Sequence, residues 1–120
     1  MGKYMLELGA NLVITSRKKD VLEKAAAELH AQTGGTVLSL VCDIRKYEEI
    51  IAVIEATEKR FGAIHGVLNN AAGNFISPTE RLSHRAFDIV VDIVLKGTYY
   101  MTLAIGKHWI SKKQPGTFLN

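Results

Sequence analysis

Three short polar runs carry the chemistry open to this chain of 120 residues. Ser16-Arg17-Lys18 follows a first apolar run, Asp43-Ile44-Arg45 a second, and Asn69-Asn70-Ala71-Ala72-Gly73-Asn74-Phe75 a third. An arginine in the first place can pair with a phosphate through its planar fork of donors, where sites for an unmodified ribose use Asp or Glu. A carboxylate in the second place can accept a hydrogen bond from an adenine amino group, or cap a helix. In the third, Asn amides can hold a turn while small residues let a flat ring approach the backbone. Each run alone has a plain structural alternative: a turn cation, a helix cap, an Asn-held turn.

Function requires that the three runs meet, and the elements before them point that way. Asn11 to Thr15 is a continuous branched apolar run, read as a buried strand. Asp20 to Gln32 sets Leu22, Ala25, Ala26 and Leu29 at helical spacing, with Asp20 and Glu23 spaced as a capping box, and Gly34-Gly35 closes the unit. Thr36 to Cys42 is a second strand. Tyr47 to Phe61 is a second helix, with Ile50, Ile51, Ile54 and Phe61 inward and Gly62 at the left-handed closing position. Ala63 to Asn69 is a third strand. Ser83 starts a long helix that reaches about Lys112 and kinks near Gly97. Pro115-Gly116 stops it, and Thr117-Phe118-Leu119 begins another strand. Such alternation predicts an α/β fold, a parallel sheet with helices on both faces. Right-handed crossovers then bring the ends of all strands to one rim, where ligands of such sheets bind.

Composition narrows the partners. The chain is 48% hydrophobic and 22% charged, with a net charge of +3, as in ordinary globular proteins. Its basic residues are scattered apart from Arg17-Lys18-Lys19, with no continuous basic stripe, so nucleic acid is not an expected partner. His30, His65, His84 and His108 lack paired ligand spacing, and no metal is expected. The lone Cys42 lies in an apolar run and reads as a small core residue. Apolar stretches such as Ile89 to Leu95 are broken by Asp92, short of the ~18 residues a bilayer span needs. With no leader at the start, the expected setting is cytoplasmic, without a membrane partner.

With Gly2-Lys3 as the last glycine of a turn running into a helix, Asp43-Ile44 after a strand and Asn69 to Gly73 after the next, the sequence resembles the short-chain dehydrogenase/reductase family. The longer run Asn69 to Ser83, with Asp92-Ile93-Val94-Leu95 and Ala104-Ile105-Gly106-Lys107, is most similar to the 2,4-dienoyl-CoA reductase branch. The resemblance implies that residues 1–120 are a partial Rossmann-type NAD(P)-binding domain. It would be a doubly wound parallel sheet in the order β-α-β-α-β-α-β, lacking the first strand and the C-terminal half. It implies NADPH as cofactor, an acyl-CoA as substrate in the breakdown of unsaturated fatty acids, and homo-oligomers among intact relatives. Residue by residue, Asn74 would be catalytic, donating to the thioester oxyanion. Gly2, Arg17, Asp43, Ile44, Asn70, Ala71 and Gly73 would bind cofactor, and Arg45, Phe75 and Ser83 would lie near the acyl-CoA.

Two positions depart from the family pattern. Val94 stands where most members outside this branch carry a catalytic Asn, and Lys96 where this branch often has Asn. Among the 120 residues there is neither a complete glycine turn nor a Tyr-x-x-x-Lys, so the chain by itself is expected not to turn over substrate. The strands starting at Asn11 and Ala63 are expected to border an empty slot, at a cost in stability. The alternatives are a reductase of a carbonyl, in a 3-oxoacyl thioester or a sugar, and a nucleotide-binding protein without catalysis.

Overall fold

A computed structural model describes every residue from Met1 to Asn120. The order is α1 (Gly2–Glu7), β1 (Leu12–Ser16), α2 (Lys19–Thr33), β2 (Val37–Val41), α3 (Tyr47–Phe61), β3 (Gly66–Leu68), a 3₁₀ turn (Thr79–Arg81), α4 (His84–Val91), a π-helical turn (Asp92–Lys96), α5 (Gly97–Lys112) and β4 (Thr117–Leu119). The α3 bounds match the apolar periodicity residue for residue, and Gly34 and Gly62 end α2 and α3 at φ 69° and 81°. Expected and observed starts differ at α2. Lys18 stands at the N-cap with no side-chain cap, so Asp20 and Glu23 form no capping box. Asp20 instead lies in the first helical turn, where its charge favours the positive end of the helix dipole.

The strands form two sheets. β1 pairs in parallel with β2 and β3 in parallel with β4, and no strand joins the pairs. Hydrogen bonds locate the unused edges. Leu12 N–H donates to Thr36 O at 3.0 Å, and Ser16 O accepts from Cys42 N–H at 3.0 Å. Alternate residues of a parallel strand serve opposite edges, so Val13 and Thr15 turn their backbone groups away from β2, toward no partner. Across from them, Asn69 N–H donates to Leu119 O at 2.8 Å and His65 O accepts from Thr117 N–H at 3.1 Å. Gly66 and Leu68 therefore face the same vacant side. Two free borders stand where a complete sheet would have a strand.

Helices hold the halves together. Cys42, Ile50, Val53, Ile54, Ile64, Ala104, Ile105 and Trp109 form one core between the sheets and the α3–α5 layer, with Val13 and Leu40 from one sheet and Val67 and Phe118 from the other packed on it. Ile50 is completely buried. Trp109 lies beside the Phe118 ring, 4.7 Å between centroids, and its Nε1–H donates to Ile64 O at 2.6 Å. On the opposite face α1 and α2 cover β1 and β2 through Leu6 and Leu22, so helices lie on both sides.

The long C-terminal helix begins at Ser83, whose Oγ accepts from Ala86 N–H at 3.2 Å. Its irregularity is the π turn just before Gly97, secured by Lys96 Nζ to Asp92 Oδ1 at 2.6 Å. The helical run His84–Lys112 is 29 residues with a mean hydropathy of 1.4 over its most apolar window. By length and composition it is apolar enough to cross a membrane, which the short stretches noted in the sequence did not suggest. Here its Ala104, Ile105 and Trp109 dock on the core.

Candidate functional site

The ends of β1, β2 and β3 converge on one cavity of about 330 Å³. Thr15, Ser16 and Arg17 form its first wall, Cys42, Asp43 and Ile44 its second, and Asn70, Ala71 and Ala72 its third, with Ile93 of the π turn beneath. The three polar runs thus meet at one rim, as right-handed parallel crossovers require. Of the residues singled out in the sequence, Arg17, Asp43, Ile44, Asn70 and Ala71 come together here.

Electrostatics separate the two charged members. Arg17 is exposed and makes no ion pair, although its charge helps to lower the pKa of Asp43. Asp43 is held by Arg45: Arg45 Nε lies 2.9 Å from Asp43 Oδ1, Nη2 bonds Oδ2, and Arg45 N–H donates to Oδ1 at 3.1 Å. Those hydrogen bonds drive the Asp43 carboxyl down to about 2, so it is ionised at neutral pH. The Asp43 N–H donates to Glu49 Oε2 at 2.7 Å, and Glu49 also takes Lys46 Nζ at 2.8 Å. Glu49 and Arg45 pin the turn from both sides.

This geometry corrects one expectation. Asp43 does not cap α3, whose N-cap is Lys46 without a side-chain bond. Arg45 gives Nε and Nη2 to the adjacent carboxylate, while its Nη1 bonds no group in the chain. Ile44 N–H, by contrast, donates to no group in the chain.

Other singled-out residues stand apart. Gly2 opens α1 and does not line the cavity. A Cβ there would come within 3.0 Å of Leu12 Cδ2, so it lets α1 lie close on β1. Gly73 borders Ile93. Asn74 and Phe75 are exposed in the loop beyond, and the Asn74 amide makes no hydrogen bond. The Ser83 hydroxyl is spent on capping α4. Asn69 Nδ2 ties the loop base to Asn120 Oδ1 at 2.7 Å and to Thr102 Oγ1 at 3.3 Å. Lys96 is paired with Asp92 and half-exposed. No three His, Cys, Asp or Glu side chains come close enough to hold a metal.

Ala72 lines the cavity with the rest of the Asn70–Gly73 run, as the resemblance implies. Thr15, Cys42 and Ile93 line it without having been given a site role: Thr15 and Cys42 end the strand runs, and Ile93 belongs to the Asp92–Leu95 run quoted for the resemblance.

The family model described as short chain dehydrogenase matches residues 1–120, the entire chain. The chain belongs to this family. As a short-chain dehydrogenase it is similar to a probable 2,4-dienoyl-CoA reductase [(2E)-enoyl-CoA-producing] of Bacillus subtilis (strain 168), 37% identical over 100% of this chain and 47% of that protein. It is also similar to the peroxisomal 2,4-dienoyl-CoA reductase [(3E)-enoyl-CoA-producing] of Danio rerio, 34% identical over 100% of this chain and 40% of that protein. Among solved structures, a short chain dehydrogenase from Bacillus anthracis superposes with a TM-score of 0.92 at 42% identity, covering 98% of this chain and 48% of that one. This chain therefore spans less than half the length of these dehydrogenase relatives. The Rossmann-type parallel architecture is that of the family.

Proposed function

We propose that the chain is the nucleotide-binding part of an NADPH-dependent oxidoreductase that reduces 2,4-dienoyl-CoA to enoyl-CoA. One observation carries the cofactor reading: the cavity at the strand ends combines an unpaired guanidinium, Arg17, with an ionised carboxylate, Asp43, and a free backbone donor at Ile44. These residues fit the adenosine end of a 2′-phosphorylated dinucleotide. Arg17 supplies a cation for the 2′-phosphate. Ile44 N–H supplies a donor for the adenine ring. The Asp43 carboxylate is largely occupied by Arg45, so its main part is to fix the turn that presents Ile44. Ala71 and Ala72 give the third wall small side chains along which a flat ring can lie, with Asn70 before them and Gly73 after.

NADPH supplies a hydride when bound. For the dienoyl thioester, the chain's own contribution is Asn74, whose unbonded amide is available to donate to the oxygen on which charge develops. Phe75 lies next to it as an exposed apolar surface for the acyl chain. The substrate reading is supported by the dienoyl-CoA reductase names of relatives that match the full chain. A protein of this kind would work as a homo-oligomer in the cytoplasm.

Adenosine 2′,5′-bisphosphate isolates the adenosine end. Calorimetric titration should show it binding more tightly than adenosine 5′-phosphate, and Arg17→Gln should erase the difference. An exposed charge-assisted pair contributes about 1 kcal/mol, so the preference should be roughly fivefold. Equal binding of the two nucleotides to the parent chain defeats the NADPH assignment.

A further inference from the structure

The cavity has an unusual mechanical problem. Its Asp43-Ile44 wall belongs to the β1–β2 sheet and its Asn70-Ala71 wall follows the β3–β4 sheet, and the sheets share no hydrogen bond. Something else must set their spacing. The π turn and the start of α5 together reach both. Gly97 is buried, and a Cβ built there would collide with Ile44 Cδ1 and lie 2.7 Å from its Cγ1 and 3.4 Å from its Cβ. Turning the tip of Ile44 would clear the first contact but not the second, so the whole side chain would have to back away. One turn earlier, Ile93 lines the cavity and borders Gly73, which follows directly on the Asn70–Ala72 wall: a Cβ on Gly73 would be 3.3 Å from Ile93 Cδ1. The intervening π turn places both contacts on one piece of helix, and such turns recur where a side chain must be re-aimed. Glycine inside a helix is disfavoured relative to alanine, so its presence at 97 needs an offsetting contact. Ile44 provides it.

We propose that Gly97 is a positioning residue that sets the distance between the two walls of the nucleotide cavity by seating Ile44 against α5. The consequence for ligand rests on the dinucleotide reading above; the spacing itself does not. Ile44 lies between Asp43 and Arg45, whose ion pair makes the turn stiff, so displacing Ile44 carries the rim with it. A stiff rim transmits the shift.

The test uses the 120-residue chain as parent, Gly97→Ala, Ile44→Ala and the double variant. Binding of adenosine 2′,5′-bisphosphate is measured by calorimetry, and amide shifts of residues 43–45 and 70–72 by two-dimensional NMR. Misplacing a binding wall by about an ångström should weaken binding by about tenfold in Gly97→Ala. The double variant should return to within about threefold of Ile44→Ala, because only the alanine Cβ meeting the isoleucine is at fault. The amides of both walls should shift in Gly97→Ala and, in the double variant, return to their positions in Ile44→Ala. Unchanged binding and wall shifts in Gly97→Ala, or a double variant no better than the single, would overturn the proposal.

If the parent does not bind the nucleotide, the dinucleotide reading fails and the amide shifts alone decide the spacing role. Shifts confined to α5 would then refute it. If Gly97→Ala does not fold, Ile44→Ala decides: removing the seat should shift the amides of both walls, and unmoved 70–72 amides count against the proposal.

Discussion

Replacing Arg45 by glutamine removes the guanidinium that holds Asp43 while leaving the backbone bond from residue 45 available. In the parent, the hydrogen bonds from Arg45 lower Asp43 from 3.8 to about 2. Its stabilisation is therefore fully present above about pH 4 and is lost as pH falls through 4 toward 2. The shift corresponds to at most about 2.5 kcal/mol. Arg45 is 34% exposed, however, and solvent screening brings the expected value to about 1 kcal/mol. Urea unfolding of parent and Arg45→Gln at pH 7 and pH 2.5, with a carbon-detected NMR titration of the Asp43 carboxyl, reads both quantities. The parent should exceed the variant by about 1 kcal/mol at pH 7 and by much less at pH 2.5, where part of Asp43 is protonated. A parent carboxyl titrating near 3.8, or a stability gap of equal size at both pH values, would refute the reasoning.

Three further outcomes follow from the packing. Burial, aided by the Glu49 and Asp43 carboxylates, pushes the Cys42 thiol up to about 11, so a disulfide reagent at pH 8 should react with it only after denaturant is added. Trp109→Phe keeps an aromatic ring beside Phe118 but deletes the bond to Ile64 O, and should cost about 1–2 kcal/mol in urea unfolding. Ser83→Ala removes the cap of α4 and should cost about 1 kcal/mol, visible as a lower thermal midpoint with little change in the folded spectrum.

What could be read in the sequence divides along physical lines. The α3 bounds were legible because Ile50 and Ile54 recur at helical spacing and Gly62 marks the stop. The start of α2 was not, because Asp20 and Glu23 mimic a capping box while the chain enters the helix at Lys19. β3 is shorter than its apolar run because only β4 pairs with it, over Gly66–Leu68. The meeting of Arg17, Asp43 and Asn70 was legible, since each ends a strand of one parallel family. The closure of Asp43 by Arg45 was not, because residue types alone do not say whether a charge faces a ligand or its neighbour. The contact of Gly97 with Ile44 spans some fifty residues and leaves no local pattern. The roles given to Asn74 and Phe75 rest on resemblance, since both are exposed in the loop beyond the cavity.

The seam between β1 and β3 has a direction. Val13 and Thr15 on one border and Gly66 and Leu68 on the other belong to strands that run parallel to their own partners and rest on the same helical layer. A single inserted strand aligned with both could satisfy donors and acceptors on either flank, making a five-stranded sheet from two pairs. A second copy contributing its own border could zip to one flank alone and would present a fresh unsatisfied flank in turn. Like borders of two copies meeting about a twofold axis would close as a pair, whereas unlike borders meeting head to tail would grow as an open chain.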